Sequence, residues 1–380
     1  MTTNRHELSN KQRALLELVK AGLFGHTDST ESTEKFSWAS VDWGEVYRLA
    51  EEQSVIGLVA AGIENLNANH NLKVPQEWAL QFIGQTLQIE QRNKAMNGFV
   101  EELIAKLRKE DVYCLLVKGQ GVAQCYDKPL WRCSGDIDLL LSEDNYKMAK
   151  NILIPLADEV ANEDERSKHL AMVIKGFDVE LHGRMPFSLS KRVGRGVDNV
   201  LDDLFCRGNV RSWDCNGTQV FLPSPDNDVI LVFTHFLHHF FIEGVGLRQI
   251  CDWCRLMWTY RDSLNYGILE SRIRKAGLVS EWKAFYNLAS RYLGMPDLDS
   301  SFMFQDSRFD KKANRIMELV MEAGNFGHNK DLSYRTKYKG LTYKIVSLWR
   351  RMVDFARFVP IFPLDAPRFF VGYVFGKVKG

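Results

Sequence analysis

Apart from a polar loop at 25–40, apolar residues in the first 110 positions recur about every 3.6 residues, which is the period of an amphipathic α-helix. This spacing predicts helices over 8–21, 56–66 and 76–110. Asp42 is typical of an N-cap and predicts a further helix that ends near Gln53. The helix over 76–110 is long enough either to form one wall of a cleft or to serve as a scaffold away from any substrate.

Short apolar runs replace this period in the middle of the chain and predict β-strands. The predicted strands cover 112–117, 136–141, 170–175, 177–181 and 218–222. The third and fourth strands form a hairpin that turns at Lys175 and Gly176. The helices predicted among these strands cover 120–126, 143–156 and 197–206, the second of them with Ser142 as its N-cap.

Helical spacing returns after Pro223 and Pro225, which mark a boundary in the chain. The predicted helices cover 226–242, 247–261, 266–275, 280–293 and 311–323. We therefore predict an α+β fold in three parts. A catalytic unit with a small mixed sheet at 111–225 lies between a helical region at 1–110 and a helical domain at 226–380.

The strand predicted over 136–141 carries two carboxylates, Asp136 and Asp138. Successive side chains of a strand point to opposite faces, so these two share one face while Ile137 points to the other. Two neighbouring carboxylates repel each other and are costly to bury. A divalent cation reverses that cost, because carboxylate oxygens are ligands that Mg²⁺ prefers. The pattern therefore predicts a metal site.

A second acidic strand follows in the segment FDVELHG at 177–183. Asp178, Glu180 and His182 share one of its faces, by the same alternation. Glu180 is our candidate for a third carboxylate ligand, and Asp178 is the alternative if the strand register differs by two residues. His182 either orients Glu180 or contacts substrate, or it is a structural histidine.

A possible phosphate site precedes the acidic pair, where a strand runs into Lys118, Gly119, Gln120 and Gly121. Glycines allow the backbone to approach a phosphate closely, and an ammonium group adds positive charge. The order G-x-x-x-x-G-K-[ST] of a P-loop is absent. Lys118 is alternatively a lysine that extends from a strand end to solvent. Arg132 either binds a phosphate or orients an aspartate, or it forms a structural ion pair.

The combination KG…R…GDIDLLL followed by an ELH strand resembles the uncharacterised nucleotidyltransferase family of the polymerase-beta-like nucleotidyltransferase superfamily. The resemblance implies a glycine turn at Gly119 and Gly121, paired carboxylates in the segment 135–138 and a third acid at Glu180. Most of the superfamily carries a Gly-Ser pair after the first strand, where this chain has Lys118 and Gly119. The resemblance is sharp over 112–183 and weaker over 226–260.

This resemblance implies transfer of a nucleoside monophosphate from an NTP, such as ATP, to an acceptor hydroxyl. The acceptor is a small molecule, a protein side chain or an RNA end. Mg²⁺, with Mn²⁺ as the alternative, supplies two ions about 3.5–4 Å apart. Asp136 and Asp138 bind both ions, and Glu180 holds the ion that activates the acceptor. The rival hypothesis is a catalytically silent module that binds nucleotide or a partner protein.

The charge pattern changes this picture only at the end of the chain. A net charge of +1 gives no overall attraction to nucleic acid or to membranes. The tail over 329–380 carries eleven Lys and Arg against three Asp and is rich in aromatic residues. It binds RNA by charge and stacking, rests on an anionic membrane surface, or packs on its own helical domain.

The remaining candidates favour structural roles. His235, His238 and His239 lack the glutamate of an H-E-x-x-H motif, so packing is favoured over a metal site. Cys251 and Cys254 form one CxxC pair without a second, which argues against zinc. Seven scattered cysteines predict reduced thiols in a cytoplasmic protein, and the polar start predicts no secretory signal. No apolar run is long enough for a membrane helix.

Overall fold

The computed structural model of the chain describes residues 8–25, 36–165, 168–185, 189–298, 306–327, 329, 337 and 339–378. These residues form two compact units. The helical unit consists of the described parts of 1–86, 236–254 and 278–380. The sheet unit consists of 87–235, apart from residues that are not described, and 255–277. Each unit gathers distant segments, and the linear boundaries predicted after residues 110 and 225 stay predictions.

The helices agree with the predicted spacing over most of the chain. In chain order they are α1 Asn10–Phe24, α2 Trp43–Glu52, α3 Ile56–His70, α4 Gln76–Lys109, α5 Gly119–Ala123, α6 Glu143–Leu153, α7 Lys191–Phe205, α8 Pro225–Ile242, α9 Leu247–Thr259, α10 Tyr266–Ala276, α11 Val279–Leu293, α12 Asp310–Ala323, α13 Gly340–Ala356 and α14 Asp365–Val378. Asp42 caps α2 as predicted, because its side chain accepts a hydrogen bond from the Glu45 amide.

In the described part of the sheet unit, seven strands form one mixed sheet. They are β1 Cys114–Val117, β2 Ile137–Leu141, β3 Glu159–Val160, β4 His169–Ile174, β5 Phe177–His182, β6 Val210–Cys215 and β7 Thr218–Pro223. Their order across the sheet is β3-β4-β5-β2-β1-β7-β6. β2 pairs with β5 and β1 with β7 in parallel, and the other neighbours are antiparallel. The predicted α+β class with a mixed sheet is confirmed.

One face of this sheet packs on a hydrophobic core. Ile137, Leu139 and Leu141 of β2 are buried there with Val179 and Leu181 of β5. The apolar side of α4 covers them with Met96, Phe99, Val100, Leu103, Ile104 and Leu107, and α6 adds Tyr146, Ala149 and Leu153. Because the alternate residues of the strands fill this core, the acidic residues between them point to the other face.

Among the described residues, the sequence pattern missed two strands and two α-helices. β3 has only two residues, and β6 is an edge strand whose sequence VRSWDC has two consecutive polar residues. α13 and α14 lie in the basic tail, and Pro367 lies in the first turn of α14, whereas α13 contains no proline. Ser142 precedes α6 as predicted, but its side chain makes no capping hydrogen bond.

The tail packs its phenylalanines inside the helical unit. The ring of Phe241 in α8 contacts those of Phe355, Phe358, Phe362 and Phe369 at centroid distances of 4.9–6.1 Å. These four phenylalanines of the tail are buried. These side chains therefore belong to the core of the helical unit, as the packing alternative for the tail predicted.

In the part of the chain that the structure describes, no helix is both long enough and apolar enough to span a bilayer.

α1 and α3 approach each other closely in the helical unit. A Cβ atom on Gly22 would lie 2.1 Å from the carbonyl oxygen of Leu58, and one on Gly62 would lie 2.0 Å from that of Leu18. Both obstacles are backbone atoms of the opposite helix, so they cannot turn away as a side chain would. The two glycines therefore set the separation of this helix pair.

Gly62→Ala is expected to lower the free energy of unfolding by about 3 kcal/mol, the upper end of the usual cost of overpacking, because two helix backbones must separate. Gly84→Ala is the matched control: Gly84 lies in α4, and its added Cβ meets nothing within 4 Å. That change is expected to stabilise the protein by about 0.5–1 kcal/mol. Thermal unfolding of both variants tests this, and equal midpoints would contradict the close approach.

Candidate active site

The candidate site lies on the face of the sheet opposite the core formed with α4, where β2 lies between β1 and β5. Asp138 of β2 is the register partner of Val117 in β1 and of Glu180 in β5. Residues opposite each other in adjacent strands point to the same face. Sheet pairing therefore brings Glu180 beside Asp138 although the two are far apart in sequence.

Three carboxylates meet at this point. One oxygen from each of Asp136, Asp138 and Glu180 lies within 4.8 Å of the others. Asp138 is only 1 % exposed, whereas Asp136 and Glu180 are partly exposed. Asp178 is exposed on β5 and lies outside this group. The register that selects Glu180 rather than Asp178 is therefore the one expected from the sequence.

The buried carboxylate of Asp138 is only half satisfied. Its Oδ1 accepts from the Lys118 ammonium at 2.6 Å and contacts His182 Nε2 at 2.8 Å. Its Oδ2 is buried and has no hydrogen-bond partner among the described residues. An unpaired charged oxygen is expensive in a protein interior. The donor set of three carboxylates and this orphaned oxygen fit a hard divalent cation such as Mg²⁺.

The pKa shifts of Asp136 and Asp138 also favour a bound cation. The charge of Asp138, together with burial, raises the pKa of Asp136. Burial also acts to raise the pKa of Asp138, but Lys118 and His182 outweigh it and lower that pKa. Asp138 is thus held as a carboxylate beside a second carboxyl that resists ionisation. A bound cation would relieve the repulsion between them.

The turn after β1 is strained and closely packed. Lys118 has a φ of 58° and Gly119 a φ of 35°, both in the left-handed region that L side chains rarely adopt. A Cβ on Gly119 would lie 3.3 Å from the carbonyl oxygen of Asp136, and one on Gly121 2.8 Å from the Leu222 side chain. The turn therefore lies directly against the start of β2. α5 has only five residues and contributes little helix dipole.

The Lys118 ammonium lies on Asp138 and not at a solvent-exposed strand end. Burial acts to lower the pKa of Lys118, but the charges of Asp138 and Asp136 outweigh it and raise that pKa. The alternative of a lysine that extends to solvent therefore does not describe this structure. Contact of Lys118 with a phosphate stays a prediction.

Gln120 and Arg132 belong to a buried hydrogen-bond network around Asn93 of α4. The Asn93 amide donates to the carbonyl oxygens of Leu130 and Arg132 at 2.7 and 2.8 Å. Gln120 Nε2 donates to Asn93 Oδ1 at 3.1 Å, and Arg132 Nη1 donates to Ser134 Oγ at 3.1 Å. This network holds the loop that leads into β2. A single asparagine in a helical pattern carries no signal that would have revealed Asn93.

Two histidines adjoin the acidic group. His182 Nε2 lies 2.8 Å from Asp138 Oδ1 and 3.4 Å from Glu180 Oε2. His169 Nε2 lies 3.1 Å from the same Glu180 oxygen. Burial acts to lower the pKa of His182, but Asp138 and Glu180 raise it overall, and His169 and His182 lower the pKa of Glu180 against its burial. His169 was missed, although the predicted hairpin turn places it opposite His182.

The model of a known family, described as uncharacterised nucleotidyltransferase, matches residues 39–294. The chain belongs to this family. The nucleotidyltransferase match includes β1, β2 and β5 and extends over α8 and α9, where the resemblance in the sequence was weaker. The comparisons with curated proteins and with solved structures gave no significant match.

The other histidines and cysteines lie outside the metal-competent groups found among the described residues. His239 Nδ1 contacts Glu243 Oε2 at 2.9 Å, so a carboxylate accompanies this cluster after all, four residues further along the chain. Burial lowers the pKa of His238 to about 4. Cys251 and Cys254 are buried in α9. These positions are consistent with the packing role predicted for them.

Asp136→Asn is expected to stabilise the metal-free nucleotidyltransferase, because it removes a charge that Asp138 repels. The pKa of Asp136 is raised, so its ionisation costs stability at every pH above the ordinary pKa of an aspartate. We expect a gain of about 1 kcal/mol at pH 7 that disappears below about pH 3, where the wild-type carboxyl is protonated in both states. Unfolding with a chelator present, at both pH values, measures it.

The exposed Asp178 supplies the matched control, and Asp178→Asn is expected to change stability by less than about 0.5 kcal/mol. A loss of stability in Asp136→Asn at pH 7 would show that repulsion between the carboxylates of Asp136 and Asp138 does not destabilise the protein.

Proposed function

We propose that this protein is a Mg²⁺-dependent nucleotidyltransferase that moves a nucleoside monophosphate from an NTP to an acceptor hydroxyl. The family supports nucleotidyl transfer in general. The observation that carries the finer proposal is the convergence of Asp136, Asp138 and Glu180 with an unsatisfied buried oxygen on Asp138. This arrangement suits a cation better than it suits the isolated protein.

In the proposed reaction the acceptor oxygen forms a bond to the α-phosphorus, and the bond from that phosphorus to the bridging oxygen breaks. Pyrophosphate leaves with the electron pair. Bound Mg²⁺ would stabilise the charge on the phosphates and lower the pKa of the acceptor hydroxyl. Asp136 and Asp138 are the proposed ligands of both ions. Glu180 is the proposed ligand on the acceptor side and accepts the acceptor proton, directly or through water.

Lys118 has a double role in this proposal. Its ammonium compensates Asp138 in the protein without nucleotide, at 2.6 Å. The same positive charge lies beside the carboxylates, where it would offset part of the charge of a triphosphate. We propose that the turn of Lys118, Gly119, Gln120 and Gly121 contacts the phosphates, with Arg132 behind it. Mn²⁺ has the same oxygen preference and is the alternative ion.

The tail bears on whether RNA is the acceptor. Stacking of RNA bases requires exposed aromatic rings, and the four tail phenylalanines around Phe241 are buried. Trp349 of α13 is 61 % exposed and is flanked by exposed Ile345, Leu348, Met352 and Val353. RNA and an anionic membrane surface stay candidate partners of the tail, and small-molecule and protein acceptors stay candidates for the reaction.

Labelled NTP incubated with the protein and cell extract is expected to transfer its label to one acceptor class, and only with Mg²⁺ or Mn²⁺. Asp136→Asn and Asp138→Asn are expected to reduce labelling at least about 100-fold, more than the 10–100-fold typical of residues that only support a ligand. Asp178→Asn, on the same strand as Glu180, is expected to keep full activity. Retained labelling in both active-site variants would refute the proposed chemistry.

Nucleotide binding separates this enzyme from a catalytically silent module. We expect calorimetry to show NTP binding that requires Mg²⁺ in the wild type and is lost in Asp138→Asn, because Asp138 would help to hold an ion that offsets the charge of the triphosphate. A silent nucleotide-binding module is indicated instead if wild type and variant bind NTP equally well without metal.

A further inference from the structure

Glu180 is shared between the acidic group and a second set of ligand atoms. His169 Nε2, Glu180 Oε2 and His182 Nε2 all lie within 4.8 Å of one another. His169 and His182 are direct cross-strand partners in the β4–β5 hairpin, and their ring centroids are 4.9 Å apart. Both imidazoles approach the same carboxylate oxygen.

His169 Nε2 and His182 Nε2 each have one hydrogen-bond partner, Glu180 Oε2 at 3.1 Å and Asp138 Oδ1 at 2.8 Å. The remaining contact, between His182 Nε2 and Glu180 Oε2 at 3.4 Å, is longer than an ordinary N–H···O hydrogen bond. If the Nε2 lone pair of His182 faces a cation instead, Asp138 Oδ1 still keeps its hydrogen bond from Lys118. The buried carboxylate of Asp138 therefore keeps one charged hydrogen-bond donor when His182 acts as a metal ligand.

The two separations between the glutamate oxygen and the imidazole nitrogens also suit a metal. Ligands about 2.0–2.1 Å from a tetrahedral ion lie about 3.3 Å from each other. The two His–Glu separations are 3.1 and 3.4 Å. The side chains of His169 and Glu180 are 29 % and 28 % exposed, so solvent can reach the remaining coordination position. All three residues lie on paired strands, which hold ligands more precisely than loops do.

We propose that His169, Glu180 and His182 form a second metal site, for a transition-metal ion of the Zn²⁺ class. Two imidazoles and one carboxylate are a ligand set that Zn²⁺ adopts with an open fourth position, whereas Mg²⁺ prefers oxygen ligands alone. The inference deepens the proposed function, because the Zn²⁺-class ion and the Mg²⁺ ions would share Glu180. The centre would then combine ions of different chemistry.

The test uses Zn²⁺ as the probe, in equilibrium dialysis of the full chain with millimolar Mg²⁺ present to occupy oxygen-only sites. The wild type is expected to bind one Zn²⁺ at this site. His169→Ala is expected to weaken that binding at least about 10-fold, because one of three protein ligands is lost. His169→Gln repeats the test with a side chain of similar length, and thermal unfolding shows whether both variants fold.

His239→Ala is the matched control, because His239 also contacts a glutamate, Glu243, but lies outside the three-ligand group. Its Zn²⁺ binding is expected to equal that of the wild type. A rise in the unfolding midpoint with added Zn²⁺ is expected in the wild type and in His239→Ala, and not in His169→Gln. Wild-type affinity in His169→Ala, or failure of the wild type to bind Zn²⁺, would overturn the site.

Asp136→Asn separates this inference from the proposed function. Asp136 is absent from the histidine group, so this variant is expected to keep Zn²⁺ binding while it loses nucleotidyl transfer. Zn²⁺ binding that depends on His169, in a protein without any transfer activity, would leave the metal site standing and refute the proposed function alone. Transfer activity without such Zn²⁺ binding would refute the metal site alone.

Discussion

The structure depends on the burial of one ionised carboxylate, that of Asp138. A carboxylate that is 1 % exposed is stable only with close partners, and Lys118 and His182 supply them from the two neighbouring strands or their ends. One of its oxygens is still unsatisfied among the described residues. The protein thus places a charge where a further hydrogen-bond donor or cation would complete its environment, and that need defines the candidate site.

Rigid elements surround this carboxylate on each side. The core under β2 and β5 is formed with α4 and α6, and it leaves the acidic face no freedom to rotate. The strained Lys118 turn lies against Asp136, while Asn93 fixes the loop before β2. A nucleotidyltransferase needs such rigid elements, because catalysis of phosphoryl transfer consists mainly of positioning the reactants and compensating their charge.

Sequence patterns were reliable where the relevant contact is local. The alternation of β2 and β5, the cap at Asp42 and the hairpin turn at Lys175 and Gly176 were all predicted, and the turn residues have the positive φ values that such a turn requires. β6 was missed because its alternation is broken by two consecutive polar residues, Arg211 and Ser212. The position of His169 could have been predicted in the same way, because counting residues back from the hairpin turn pairs it with His182.

The sequence by itself determined which side chains share a face within each strand, because a period of two residues is a property of the extended backbone. It therefore predicted Asp136 with Asp138, and Glu180 with His182. Only the tertiary structure decided that β5 lies beside β2, that Lys118 turns onto Asp138 and that Asn93 reaches Gln120. Those contacts join residues distant in the chain, and packing of the whole core selects them rather than any local preference.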